Sequence, residues 1–457
     1  MRIPLIFLGF VLTIPIFAKA QVSPEATGGN DQEEPMQMPA LETGAPYATG
    51  TGSEALSNVL SGSIGFTPAY NWNLYPGTGS APINEMSYSI SPSIGFDQQI
   101  SRLHQTYTYS PSFTLYQQTT GLNLFDQSAS ASLQYRWTPH LTLSAMDSFM
   151  KTSNVFNQAG SLGGGSVNAS LPSSPNNIVD PWLSQTSNNV NGKLGYQFSA
   201  NGMIGGGGGW NYMSIPSYGT PGSAGYAQSY DSTGETGSAF FNRRLSLAQT
   251  VGVNYQYTRS IMNFSGGSFE TQMHSVMPFF SYAPGAHFSA NIAAGPQYYS
   301  ESAAAAATSS SAAYSLSLSA WTPAVTASFG WQTARFSVSA SLSRAVTAGD
   351  GLVGSYISES ASLHARDQIA RDWTVDLSGA YSDFTGSASQ GAFAYPGGHT
   401  IDGEILLDHT LGRHFHAEIG YQRMYMNYFG GAAQTYDPNS DRAYATISYQ
   451  FTRPIGR

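Results

Sequence analysis

The densest group of residues able to do chemistry lies between positions 399 and 426. Asp402, Glu404 and Asp408 recur at even spacing on one stretch, and His416, Glu418 and Gln422 on the next. Carboxylates gathered around an imidazole can attract cations or serve as an acid–histidine pair in hydrolysis. They can equally form a hydrogen-bonded network that stiffens a wall. Other candidates are weaker. His414 and His416 lack the i, i+4 helical spacing of a zinc site. Asp437, Asn439 and Asp441 offer hard oxygen ligands, but Pro438 interrupts them, and the glycine turn and bidentate glutamate of a calcium loop are missing. The run Gly205–Gly209 has no Lys where a phosphate loop needs one. Serines are abundant and the nine His are scattered, so no local motif singles out a nucleophile. No catalytic residue, metal or cofactor is expected.

The elements that carry these residues read as strands. Tyr88, Ile90, Ile94 and Phe96 share one face, with Ser87, Ser89, Ser91 and Ser93 on the other. Ala129, Ala131, Leu133, Tyr135 and Trp137 alternate with Ser130, Ser132, Gln134 and Arg136. The same period of two recurs in 245–257, 335–345 and 373–384. About eighteen such runs follow one another from residue 59, most of the length that a tilted strand needs to cross a bilayer. The runs 59–67 and 236–243 are the least regular, so sixteen to eighteen strands are expected. Short breaks (138, 200–202, 244, 283–286, 332–334, 367–372, 412–414) alternate with long ones (68–86, 152–186, 215–235, 258–268, 300–320, 385–398, 427–441). The Ala303–Ala307 run reads as a helical turn in a loop, or Tyr314, Leu316 and Leu318 extend the following strand above the membrane. The fold class is therefore all-β: a single closed antiparallel transmembrane β-barrel of 16–18 strands, with short turns at one end and long loops at the other.

Composition agrees with a barrel. Only 10% of the 457 residues are charged, against roughly 25% in ordinary soluble domains. Beyond residue 20 no apolar run approaches the ~20 residues of a membrane helix. Residues 1–20 read as a signal peptide: Met1-Arg2, an apolar stretch to Phe17, and Ala18-Lys19-Ala20 as the cleavage site. Removing them takes Arg2 and Lys19 from the 18 basic residues and leaves 16 against 27 acidic ones, a balance of −11. That excludes a basic nucleic-acid footprint. The chain has no Cys, so disulfides, thiolate metal sites and a lipidated N-terminal Cys are excluded. Residues 21–58 carry Glu25, Asp31, Glu33, Glu34, Glu42 and Glu54 with no Lys or Arg, and read as a disordered acidic periplasmic linker. The barrel is assigned to 59–457.

Tyr and Trp crowd the expected strand ends, among them Trp137, Tyr196, Trp210, Tyr255, Trp331, Trp373, Tyr421 and Tyr449. Parity places them with the lipid-facing residues, as interfacial girdles rather than a sugar slide. On the polar face, parity places Arg102, Arg136 and Lys193 against Glu270, Asp376, Asp402, Glu404, Asp408 and Glu418.

The last strand reads AYATISYQF (443–451), with Ala443, Ala445, Ile447, Tyr449 and Phe451 on one face. It resembles the terminal strand of bacterial outer-membrane β-barrel proteins, which alternates and ends in an aromatic residue. Six residues follow Phe451 here. The resemblance implies an outer-membrane location and recognition of Tyr449 and Phe451 by the barrel assembly machinery. The implied surroundings are lipid bilayer and lipopolysaccharide. The arrangement also resembles the general porins, whose third outer loop folds inward to narrow the pore. The longest connection, 152–186, occupies that place and carries Phe156, Asp180 and Trp182. The expected function is a porin-like channel for passive diffusion of small hydrophilic solutes with a mild cation preference. The alternative is a structural or adhesive barrel without an open pore, and a barrel hydrolase is the third reading.

Overall fold

In a computed structural model the chain is described over residues 58–74, 83–119, 123–152, 184–216, 230–264, 267–285, 287–305, 314–348, 355–386, 397–429 and 439–455. The expected signal peptide, the acidic linker and the three residues assigned to the constricting loop (Phe156, Asp180 and Trp182) lie outside the described residues.

The described chain is a succession of strands: β1 (Asn58–Leu74), β2 (Ile83–Ile100), β3 (Leu103–Tyr116), β4 (Leu124–Arg136), β5 (Leu141–Thr152), β6 (Gln185–Ser199), β7 (Gly202–Ile215), β8 (Tyr230–Ser246), β9 (Gln249–Phe264), β10 (Gly267–Gly285), β11 (Phe288–Ala305), β12 (Tyr314–Gln332), β13 (Phe336–Ala348), β14 (Ser355–Ala370), β15 (Trp373–Gly386), β16 (Gly397–Leu411), β17 (Phe415–Phe429) and β18 (Ser440–Pro454). Each pairs antiparallel with its chain neighbours, and β1 pairs with β18 from Val59↔Pro454 to Trp72↔Asp441. Closure leaves no free first or last strand, which is the condition for a sheet to sit in hydrocarbon. With eighteen strands about 4.8 Å apart and tilted by roughly 40°, the wall is about 36 Å across between backbone centres.

The strand number is the upper end of the expected range, and both irregular runs are full strands. The elements run on past the residues a bilayer requires, because pairing continues beyond the apolar band. The ladder between β11 and β12 reaches Ala305↔Tyr314, so Ala303–Ala305 extend a strand instead of forming a helical turn. Two breaks expected from the sequence move. The turn expected at 244 falls at 247–248, which gives Leu245 to β8. The long connection expected at 258–268 shrinks to residues 265–266, because β9 and β10 stay paired up to Gly267↔Phe264. The first and last strands meet at the short-turn end, where Ile455 N donates to Asn58 O at 2.7 Å.

Burial is inverted relative to a water-soluble protein. Ile419 and Ile447 are 66% and 61% exposed, whereas Glu404 and Asp408 are 7% and 2% exposed. Period-two alternation turns most apolar residues outward and most polar ones inward. The outward face is bounded by aromatic side chains. Near the short turns stand Trp137, Tyr196, Phe198, Trp331, Trp373, Phe415 and Tyr449. Toward the other end stand Trp72, Phe113, Phe125, Trp210, Tyr255, Trp321, Tyr381 and Tyr421. Trp373 and Tyr381 are eight positions apart on β15, about 20 Å along the barrel axis at this rise and tilt, close to the height of a barrel's apolar band. Beyond the second ring, charges return to the outer face as ion pairs: Arg344 with Glu359 at 2.6 Å and Arg259 with Glu270 at 2.7 Å.

One part of the wall is double. The ladder between β12 and β13 ends at Val325↔Arg344, although β12 begins at Tyr314 and β13 continues to Ala348. Past that point β13 stays paired with β14 but leaves β12.

Candidate functional site

The hairpin β16–β17 turns at 412–414, where Gly412 takes a left-handed φ of 75° that a side chain would oppose. Its register places Glu404 opposite Gln422, Asp408 opposite Glu418 and Thr410 opposite His416. Ile401, Ile405 and Ile419 are exposed on the outward side, so the intervening even-numbered residues face the lumen. Glu404, Asp408, His416 and Glu418 thus share one inward patch, and Asp402, half-buried and opposite Met424, continues it along β16.

The neighbouring strands add residues that the sequence reading did not join to this group. On β15, Thr374 lies opposite Asp408 and Ser378 opposite Glu404. Asp376 sits between Arg366 Nε and His364 Nε2 of β14, each 3.8 Å from its Oδ1. On the other side, Tyr444 of β18 donates to Glu404 Oε1 at 2.6 Å, and Gln422 Nε2 donates to the same oxygen at 2.8 Å. Tyr444 reaches two strands away because Gly420, on the strand between, has no side chain. A Cβ there would run into the tyrosine ring. Arg442 lies opposite Gln422, with its guanidinium carbon 5.4 Å from the centre of the Tyr444 ring. Parity alone marks Arg366, Arg442 and Tyr444 as inward; what the sequence did not show was their reach across strands.

Glu404 accepts two hydrogen bonds on one oxygen, but Asp408 accepts none among the described residues. Both Asp408 oxygens are buried. Its register partner is a second carboxylate, Glu418. Like charges directly opposite each other destabilise a sheet pair. An acid–histidine pair for hydrolysis is not assembled: His416 Nδ1 is 3.9 Å from Asp408 Oδ2, beyond hydrogen-bonding reach. Among the described residues no group of three His, Cys, Asp or Glu is placed to hold a metal ion.

Two of the charges assigned to the lumen belong elsewhere. Glu270 faces outward: it shares parity with the exposed Val276 and Phe280, and its Oε1 accepts from Arg259 and from Gln272 at 2.9 Å. Being near the far end of β10, it lies beyond the apolar band, where a charge costs little. Arg102 lies in the turn between β2 and β3. Inward acidic residues outside the expected group include Glu85, Asp126 and Glu301. Carboxylates therefore still outnumber the inward bases Arg136, Lys193, Arg244, Arg366 and Arg442. Tyr449 and Phe451 lie on the outward face of β18, opposite Ile64 and Gly62 of β1, at the seam that closes the barrel.

No family model matches the chain, and no curated protein matches it in sequence. Solved structures do resemble it. One is the ferric citrate transporter FecA in the unliganded form, with 8% identity, 87% of this chain and 79% of that chain covered, and a TM-score of 0.48. Another is the siderophore receptor PiuA from Acinetobacter baumannii, with 9% identity, coverage of 85% and 82%, and a TM-score of 0.46. A third is Pseudomonas aeruginosa OccK2 (OpdF), with 11% identity, coverage of 87% and 98%, and a TM-score of 0.38.

Proposed function

We propose that the protein is a porin-like outer-membrane channel that passes small hydrophilic solutes by diffusion, with a mild preference for cations. The observation that carries this reading is a closed eighteen-strand wall whose inward face is hydroxyl, amide and carboxylate. Eight strands leave an interior just filled by side chains, whereas a wall about 36 Å across leaves room for water. Inward carboxylates in excess raise the local cation concentration. The proposal includes export with cleavage after Ala20, an acidic periplasmic segment from 21 to 58, assembly through the β18 seam and lipopolysaccharide at the outer leaflet.

A second reading is favoured by one observation. Inward Ile215, Tyr356 and Phe384 are almost completely buried, more than a wide water-filled tube requires. A barrel without an open pore, serving as an anchor or adhesin, fits that burial. Single-channel recording in a planar bilayer under a salt gradient separates the two. The channel reading expects discrete conductance steps and a reversal potential on the cation side. Absence of conductance would leave the structural reading; anion selectivity would keep the pore and overturn the charge argument.

A further inference from the structure

We propose that residues 345–348 of β13 and 355–358 of β14 form the constriction that sets the size limit of this pore. The inference rests on the channel reading. On β13 the even-numbered residues face outward, as exposed Leu342 demonstrates, and on β14 the odd-numbered ones do, as exposed Leu363 demonstrates. Val346 and Ile357 continue those outward rows and lie opposite each other. Neither meets lipid. Val346 is 3% exposed and packs with Met273 of β10 and Tyr299 of β11, beside Leu318, Ala320 and Ile357. Met273, Tyr299, Leu318 and Ala320 belong to the inward parity of their own strands. The outer face of one hairpin therefore lies on the inner face of the wall.

Polar contacts hold the overlap. The Gln297 side chain of β11 receives Val346 N on Oε1 at 2.8 Å and donates to Val346 O at 3.2 Å, as a neighbouring strand would. Ser355 Oγ of β14 donates to Glu301 Oε2 at 2.5 Å. Release from β12 after Arg344 lets the hairpin reach this position. Packed sheet layers lie about 10 Å apart, so the second layer takes that much from the open width on one side. On its other face this stretch carries the half-buried Ala345 and Thr347 and the buried Ser358, none of them charged. Sieving by size is thus assigned to the hairpin, and preference by charge to the carboxylate patch on β15–β17.

The absence of native Cys allows a direct test of position. Met273→Cys with Val346→Cys is expected to form a disulfide in oxidised membranes, as is the ladder pair Ala327→Cys with Leu342→Cys used as control. Cross-linking of the control alone would overturn the overlap. For function, Val346→Asp places a charge in the apolar contact, and Gln297→Ala removes the clamp. Folded, inserted variants are expected to raise single-channel conductance about two-fold, since a constriction dominates the resistance of a pore. They should also admit larger sugars in liposome swelling, with the reversal potential unchanged in Gln297→Ala, which adds no charge. Wild-type conductance and size limit in both variants would overturn the proposal. A silent wild type with a conducting Val346→Asp variant would support the constriction and overturn the open-pore reading. Silence in both would overturn both.

Discussion

Two arcs of the same wall satisfy the middle of their inward faces in opposite ways. Across β2, β3 and β4, hydroxyls pair with hydroxyls: Ser89 with Thr114 at 2.8 Å, Ser91 with Ser112 at 2.9 Å and Thr106 with Ser132 at 2.7 Å. Each group can donate and accept, so the pairs are neutral and complete. Across β14 to β18 the corresponding positions carry Arg366, Asp376, Glu404, Asp408, Glu418 and Arg442. Pairing and strand direction are the same in both arcs, so the barrel does not need those charges in order to close. A buried charge costs free energy unless it is paired, and Asp408 opposite Glu418 is paired with the wrong sign. Stability gives no reason for placing Asp408 opposite Glu418, whereas the proposed attraction of passing cations would.

The comparison is broken most severely at Gly420. Gly420→Val would push Tyr444 off the strand and leave Glu404 short of one donor. Overpacking and a lost buried hydrogen bond together should cost about 3 kcal/mol, read as a lower urea midpoint for the barrel in vesicles. Combining it with Tyr444→Ala should recover part of the loss, which a double-mutant cycle would measure. An unchanged midpoint would mean that the ring does not lie across the glycine. Next in size is Arg366→Gln, which leaves Asp376 without its guanidinium. About 2 kcal/mol should be lost, since removing one partner of a buried pair strands the other. The reversal potential should move further to the cation side.

Much of this was legible in the sequence, and the rest failed for physical reasons. Period two assigned nearly every strand, because alternation is forced wherever one face meets lipid. It failed at 244, where Arg243, Arg244 and Leu245 continue the alternation through the expected break. It failed again at 258–268, where strands run on outside the membrane and lipid no longer imposes the pattern. Glu270 was misplaced because parity followed as polarity reads a charged outer rim as lumen; only the exposed Val276 and Phe280 on the same row correct it. The overlap at Val346 was invisible for a related reason. A valine of outward parity reads as lipid-facing, and no local pattern records that β13 has left β12.

Sharper than either stability test is a double substitution that spares the fold. Asp408→Asn with Glu418→Gln keeps size and hydrogen-bonding capacity and removes two negative charges that face each other. Stability should stay within about 1 kcal/mol or rise, because the like-charge opposition disappears. The cation-to-anion permeability ratio should fall on the order of two-fold, as expected for modest focusing by a few charges. A large loss of stability with unchanged selectivity would assign these carboxylates to the wall and remove the functional half of the comparison.

The smallest effect is expected among the hydroxyl pairs of β2–β4, and it serves as the control for everything above. Ser91→Ala deletes one hydroxyl of the Ser91–Ser112 pair. Both side chains are only half-buried, so Ser112 can turn to water when its partner goes. The net worth of one such neutral bond is about 1 kcal/mol or less. The midpoint should shift by no more than that, with conductance and reversal potential the same as wild type. If Ser91→Ala moved the reversal potential as much as the double carboxylate substitution, the two arcs would not differ in function. Selectivity would then have to come from the polarity of the lumen as a whole rather than from the patch around Asp408.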